Sequence, residues 1–177
     1  SNNFQFKDEL EKSYKNVSCV LSSENLGMGS GNNIGIKRAT TDFVLILNPD
    51  VILETSTINE LIAASQKISS FAILAPISSD IDYPNYKLDN NKKNLIDYNL
   101  PFKVKSIDGF AMLFNKKQLD KSLNKNYFDE NFFMYLENDD LCKRIIDGKE
   151  AIYIAPMSKI KHLGGKAVNE KYKDEVE

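Results

Sequence analysis

"DFVLILNPD", Asp42 to Asp50, is the stretch on which the fold turns. The run from Phe43 to Leu47 is apolar without a break, and Asn48, Pro49 and Asp50 close it with turn-forming residues. A strand that is apolar on both faces suits a sheet covered by helices on both sides, which in turn suits parallel pairing. The flanks agree with that reading. Upstream, "FKDELEKSYKN" predicts a short helix and "VSCVL" (Val17–Leu21) a buried strand, followed by the Gly- and Asn-rich turn "ENLGMGSGNN" and a helical "NIGIKRA". Downstream, Ile58, Leu61, Ile62 and Ile68 form one helical stripe, opened by Thr57 and Glu60 at capping-box spacing. "FAILAP" (Phe71–Pro76) is another buried strand, and "VKSIDGFAMLFNKK" gives one or two strands before a short helix around Gln118–Leu123. "AIYIAP" and "SKIKHLGG" supply two last strand-like pieces, and "NEKYKDEVE" is a charged tail. Strands alternating with helices predict a single α/β domain over residues 1–177 with a mostly parallel sheet flanked by helices.

Composition narrows the function. The 177 residues are 42% hydrophobic and 27% charged, ordinary values for a globular domain with a real core. Lys plus Arg number 23 against 25 for Asp plus Glu, so no global field recruits nucleic acid. The opening residues lack a signal-peptide pattern and no apolar run is long enough to span a membrane. Cys19 and Cys142 lie inside regular elements without metal-type spacing. These features predict a cytoplasmic protein. The polar stretch from Ser78 to Pro101 has no clear period and reads as a long excursion of the kind that often carries function.

In sheets of this kind ligands sit beyond the carboxyl ends of the strands, where Asp50 and the Gly-Asn turn fall. Asp50 could hold a hard divalent cation, or it could simply finish a turn. The amides of "NLGMGSGNN" could meet a phosphate, although the spacing fits neither a dinucleotide fingerprint nor a P-loop; a capped, flexible loop explains them equally. His162 is the sole imidazole in the sequence and could join Asp50 at a metal, or be structural.

"YLENDDLCKR", Tyr135 to Arg144, precedes a helix with Leu141 and Ile145 four apart, Cys142 and Ile146 likewise, and Gly148 at its end. Asn138 is a fitting N-cap, with Asp139 and Asp140 in the first turn where the helix dipole favours them. Capping leaves Glu137 unexplained. An acid set just outside the helix, after the apolar "NFFMYL", suits a general base.

Taken in order, "NLGMGSGNN", "LILNPD", "IDGFAMLF", "FDENFFMYLENDDLCKR" and "IKHLGG" resemble the inverting glycosyltransferases of family 2, and among them the bacterial rhamnosyltransferase type, from Asn25 to Gly165. The resemblance implies a GT-A fold, a dTDP- or UDP-sugar donor, a divalent metal (Mg or Mn), and a saccharide or lipid-linked saccharide acceptor in surface polysaccharide synthesis at the inner face of a membrane. It implies Asp50 and His162 as metal ligands. Asn25, Gly27, Asn33 and Asn48 fall on the donor side, and Asp108 and Gly109 on the sugar and acceptor side. Catalysis falls to the acids Glu137, Asp139 and Asp140, with a single displacement at the anomeric carbon.

The sequence departs from the family pattern at several points. Asn138 stands where the family writes Asp in Glu-Asp-x-Asp-Leu, and an amide cannot accept a proton. The base is then Glu137 or Asp139, or the domain binds a partner or glycan without turnover. Ala167 replaces a family serine. The family's opening strand–helix–strand, which ends in Asp-Asn-x-Ser, is expected to be missing here. Its strands would lie between Val17–Leu21 and Phe43–Leu47, so the expectation is either that the donor binds poorly or that a second copy or another chain completes the sheet.

Overall fold

The computed structural model describes residues 3–80, 82–89 and 96–164. Ser1, Ala167, the charged tail and part of the Ser78–Pro101 excursion lie outside the described residues. Along the chain run α1 (Phe4–Ser13), α2 (Gly27–Arg38), β1 (Phe43–Leu47), β2 (Val51–Leu53), α3 (Thr57–Gln66), β3 (Ile73–Ser78) and β4 (Tyr86–Lys87). Then follow β5 (Phe102–Val104), β6 (Ser106–Ile107), β7 (Ala111–Asn115), α4 (Lys116–Ser122), α5 (Glu137–Asp147) and β8 (Ile152–His162).

The main sheet has the order β1-β7-β3-β8-β2, with β5 also alongside β8, while β4 and β6 form a separate pair. Only β3 and β8 run parallel among the described pairings; β1–β7, β3–β7, β2–β8 and β5–β8 are antiparallel. The sheet is therefore mixed rather than mostly parallel. An unbroken apolar run reports that both faces of a strand are covered, but not the direction of its neighbour.

Alternation along the inner strands feeds separate cores. Ile73, Met112, Phe114, Ile152 and Ile154 pack with Ile36 of α2, Leu119 of α4 and Leu141, Cys142 and Ile145 of α5. Leu74, Leu113 and Ala155 point the other way, onto Leu61 and Ala64 of α3. Within α3, Leu61 and Ala64 are buried while Ile58 and Ile62 stay exposed, so the stripe that packs is narrower than the sequence pattern. The expected capping box does not form. Ser56 occupies the cap without a side-chain bond, and the Thr57 hydroxyl donates instead to the carbonyl of Lys159.

β1 differs from expectation as well. Only Ile46 is buried along it, and Phe43 and Leu47 are exposed, because β7 is its one described neighbour. Val17–Leu21 is not a strand; it is extended chain without a ladder. Side chains of α1 take the place of strand partners: the Cys19 N–H donates to Glu11 Oε1 at 2.7 Å, and Lys7 Nζ donates to the Cys19 carbonyl at 3.0 Å.

β8 positions the site. The "AIYIAP" and "SKIKHLGG" pieces form one continuous strand, whose register against β3 jumps from Pro76↔Ala155 to Ile77↔Lys159 and bulges out Pro156, Met157 and Ser158. Ser158 Oγ donates to the Thr57 carbonyl at 2.8 Å, which ties the bulge to the start of α3. Beyond it β8 pairs antiparallel with β2, placing His162 across from Val51.

Candidate functional site

That register brings residues 50 and 162 together. Asp50 Oδ2 and His162 Nε2 lie 3.2 Å apart, and the Leu163 N–H donates to the Asp50 carbonyl at 3.0 Å. The imidazole stacks on Phe110, ring centroids 4.1 Å apart and planes 16° from parallel, so its edge is aimed by an aromatic floor.

His162 is one wall of a cleft of about 390 Å³ that Met28, Asn48, Asp108, Gly109, Phe110, Met134, Tyr135, Glu137 and Asn138 complete. The elements that meet there are β1's end, the start of α2, the β6–β7 turn, the start of α5 and the end of β8. At that turn Gly109 lets Met28 approach closely: a Cβ there would lie 2.5 Å from the Met28 methyl, which would have to swing aside, and 3.5 Å from the Asn138 Cβ.

Glu137 is the most unusual group in the cleft. It is only 5% exposed, and its Oε2 is buried without a hydrogen-bond partner. A buried acceptor left unpaired costs free energy, and a charged one costs more, so a carboxylate held this way is poised for an incoming donor. The local backbone explains its burial. Tyr135 and Leu136 both adopt left-handed conformations, φ 66° and 69°, which turn the chain sharply so that α5 starts at Glu137 itself. Glu137 is thus the first residue of the helix rather than a residue outside it, and Leu136, not Asn138, occupies the cap. Asn138 lies one residue further in and donates Nδ2 to the Ile107 carbonyl at 2.9 Å. An ionised carboxylate could not make that bond.

The remaining acids separate from Glu137. Asp139 pairs with Lys87 at 3.2 Å, and Asp140 accepts from Arg144 Nε at 2.8 Å; neither lines the cleft. Arg144 also donates to the carbonyls of Asn126 and Tyr127, so Asp140 holds a structural brace. Asp108 does line the cleft. Its residue surface is largely exposed, yet loss of water around the carboxyl pushes its proton affinity above the ordinary aspartate range, with Lys87 pulling the other way.

On the donor side the predicted residues split. Asn48 lines the same cleft. Asn25 and Gly27 line a second cavity of about 500 Å³ with Val20, Ser22, Glu24, Leu26, Gly31, Ile34 and Gly35. Asn25 Oδ1 accepts from the Gly27 N–H at 3.0 Å, and Gly27 sits at φ 77° where a Cβ would meet the Phe133 carbonyl at 2.1 Å. Asn33 lines neither cavity. It is 2% exposed and spends its amide on Phe128 N–H, the Phe128 carbonyl and Glu130, clamping that loop to α2. Met28, Phe110, Met134 and Tyr135 were not singled out by sequence; their residue types carry no marker for a site, and only the fold brings them to the cleft.

Whether the pair at Asp50 and His162 suits a divalent metal can be tested on the donor set. Among the described residues no group of three or more His, Cys, Asp or Glu could hold a metal by itself. A carboxylate and an imidazole already within 3.2 Å of each other fit a first-row divalent cation such as manganese, which takes a nitrogen ligand beside phosphate and water oxygens, better than magnesium, whose ligands are oxygens.

The family model described as glycosyl transferase family 2 matches residues 5–142. No curated protein matches the sequence significantly. Among solved structures, GalNAc-T7 with UDP, GalNAc and Mn2+ superposes with a TM-score of 0.73 at 15% identity, covering 92% of this chain. This chain spans 36% of that structure's chain, and at such identity the likeness carries the fold.

Proposed function

This chain belongs to glycosyl transferase family 2, and from that premise we propose that it moves a sugar from a nucleotide-diphosphate donor to a hydroxyl of a saccharide or lipid-linked saccharide acceptor, with inversion. Its mixed, helix-flanked sheet is the GT-A fold. The observation that carries the proposal is that His162, with Asp50 3.2 Å behind it, lines the same cleft as the buried, unpartnered Glu137, although Asp50 is not itself a wall of that cleft.

In this reading Asp50 and His162 hold the divalent metal, which when bound neutralises the diphosphate. Asn48 lies beside the diphosphate, and Asn25 and Gly27 line the cavity for the nucleotide. Asp108 and the Gly109 turn orient the acceptor. Glu137 Oε2 takes the proton of the acceptor hydroxyl as its oxygen bonds to the anomeric carbon. The bond from that carbon to the diphosphate breaks, and the nucleoside diphosphate leaves with the electron pair. The bound UDP and Mn2+ of GalNAc-T7 support a UDP-type donor; the rhamnosyltransferase likeness supports dTDP-rhamnose and a role in surface polysaccharide synthesis. Among the described residues no helix is long and apolar enough to cross a membrane.

The test is transfer of radiolabelled sugar from UDP- and dTDP-donors with manganese, for wild type, Glu137→Gln and Asn138→Asp. Transfer that survives Glu137→Gln removes the base assignment. A second reading, glycan or partner binding without turnover, is favoured by one observation, the Asn138 amide spent on Ile107 where the family has an acid. Transfer seen only with Asn138→Asp would establish it. The exposed Phe43 and Leu47 on the open edge of β1 support a further strand from a second copy or another chain, which sedimentation would reveal as a species heavier than the monomer.

A further inference from the structure

We propose that the strained apolar loop Phe133–Leu136 is a preformed acceptor platform that binds the C–H face of a pyranose ring. The proposal rests on the transfer reading above for its placement, but on separate observations for its chemistry. Phe133, Met134, Tyr135 and Leu136 are consecutive and each more than half exposed, at 53%, 54%, 68% and 60%. Such a run on a surface is unfavourable unless something covers it in use.

Its backbone is also held against preference. Left-handed conformations at Tyr135 and Leu136 are poorly suited to bulky side chains, and strain of this sort collects where binding needs a fixed geometry. The Phe133 carbonyl packs closely over Gly27, whose missing Cβ leaves room for it. The start of α2 therefore lies against one end of the loop, and α5 begins at the other.

The loop leads into the cleft. Met134 and Tyr135 are cleft walls together with Glu137, Asn138 and Asp108. An apolar surface that ends among carboxylates and an amide matches a sugar, which presents C–H groups on one face and hydroxyls around its rim. The alternative of a bilayer surface is disfavoured by charge. The acids flanking the loop, Asp129, Glu130, Glu137, Asp139 and Asp140, outnumber Lys37, Lys87 and Arg144, which pair with three of them, so the flank carries no excess positive charge to hold anionic lipid headgroups.

The experiment is saturation-transfer NMR on the full chain with methyl glycosides of gluco-, galacto- and rhamnopyranose. The expected result is saturation strongest on ring C–H protons for at least one glycoside. Tyr135→Ala should weaken apparent affinity roughly two- to tenfold, the range that aromatic stacking contributes, while Tyr135→Phe retains it. Circular dichroism checks that both variants fold, as expected for so exposed a position. No transfer to any glycoside, or equal transfer in wild type and Tyr135→Ala, overturns the platform. So does Tyr135-dependent binding to phosphatidylcholine–phosphatidylglycerol vesicles without glycoside binding. Titration of the same samples with UDP and manganese separates the two readings. Glycoside binding without UDP binding sinks donor recognition and leaves the platform standing; UDP binding without glycoside binding sinks the platform alone.

Discussion

Replacing Glu137 with Gln should make this protein more stable and less able to transfer sugar. Glu137 Oε2 is buried and unpaired, so the folded state bears the cost of a desolvated acceptor without a compensating bond. That cost is about 1–3 kcal/mol for a neutral group and more for a charged one. Glutamine keeps the shape and removes the charge, leaving only the smaller cost of a neutral amide, so a gain of about 1–2 kcal/mol is expected. For a chain of this length each kcal/mol moves the melting temperature by about 2–4 °C. Circular dichroism at 222 nm during reversible melting reads that shift. Sugar transfer should fall by about 10²–10⁴, the usual contribution of a general base. Binding of UDP with manganese should be unchanged, since that load falls on Asp50 and His162. The neighbouring acids supply the contrast. Asp139→Asn should be nearly neutral for stability, because its partner Lys87 is 69% exposed and surface pairs contribute little. Asp140→Asn should destabilise, because Arg144 braces the carbonyls of Asn126 and Tyr127 from the same position. A Glu137→Gln protein that melts below wild type refutes the argument, since the carboxylate would then be holding the fold rather than waiting for a ligand.

Other substitutions should separate equally clearly. Gly27→Ala should destabilise by at least the roughly 1–2 kcal/mol of a left-handed alanine, with displacement of the Phe133 carbonyl added to it. Gly31→Ala, one turn along the same helix with nothing within 4 Å of its Cβ, should stabilise by about 0.5–1 kcal/mol; urea titration of both variants checks the opposite signs. Cys19 should react with a thiol-specific disulfide reagent at pH 8 while Cys142 stays protected until unfolding, since burial pushes the Cys142 thiol up to about 12 and leaves it 1% exposed. Asp120 provides a pH signature. Burial raises its carboxyl pKa, but hydrogen bonds from Lys116 and Tyr127 outweigh that and hold it below the ordinary aspartate value. A depressed folded pKa contributes stability that is present above the ordinary value and lost as pH falls through the folded one. Wild type should therefore exceed Asp120→Asn in stability at neutral pH, and the gap should close on acidification.

What the sequence revealed and what it hid differ in physical kind. β1 was legible at its residue boundaries because an unbroken apolar run closed by Asn-Pro-Asp has few other uses. Its partner and direction were hidden, because those are set by β7, a segment more than sixty residues away. Val17–Leu21 has a strand's composition, yet among the described residues no strand pairs with it, and Glu11 and Lys7 satisfy the Cys19 backbone instead. The start of α5 was misplaced by two residues, the cap falling at Leu136 rather than Asn138, because Asn138 has a strong local preference for capping. That preference lost to the bond it makes with Ile107 and to the left-handed turn at Tyr135 and Leu136. The family resemblance set Asn33 on the donor side, where its buried amide is instead taken by the loop at Phe128.

The meeting of Asp50 with His162 shows the same division most clearly. Both residue types were visible, and their order along the chain suggested a common site. Their distance is nonetheless a property of register. β8 first runs parallel to β3, then bulges at Pro156, Met157 and Ser158, then pairs antiparallel with β2 so that His162 falls across from Val51. Side chains alternate along a strand, so a slip of one residue after the bulge would carry the imidazole to the opposite face and leave Asp50 without it. The bulge in turn is held by hydroxyls, with Ser158 donating to the Thr57 carbonyl and Thr57 to the carbonyl of Lys159. The separation of the two candidate metal ligands is therefore governed by residues that carry no chemistry of their own. A motif can name the groups that act; the bulge and its tether to α3 decide whether those groups share a site.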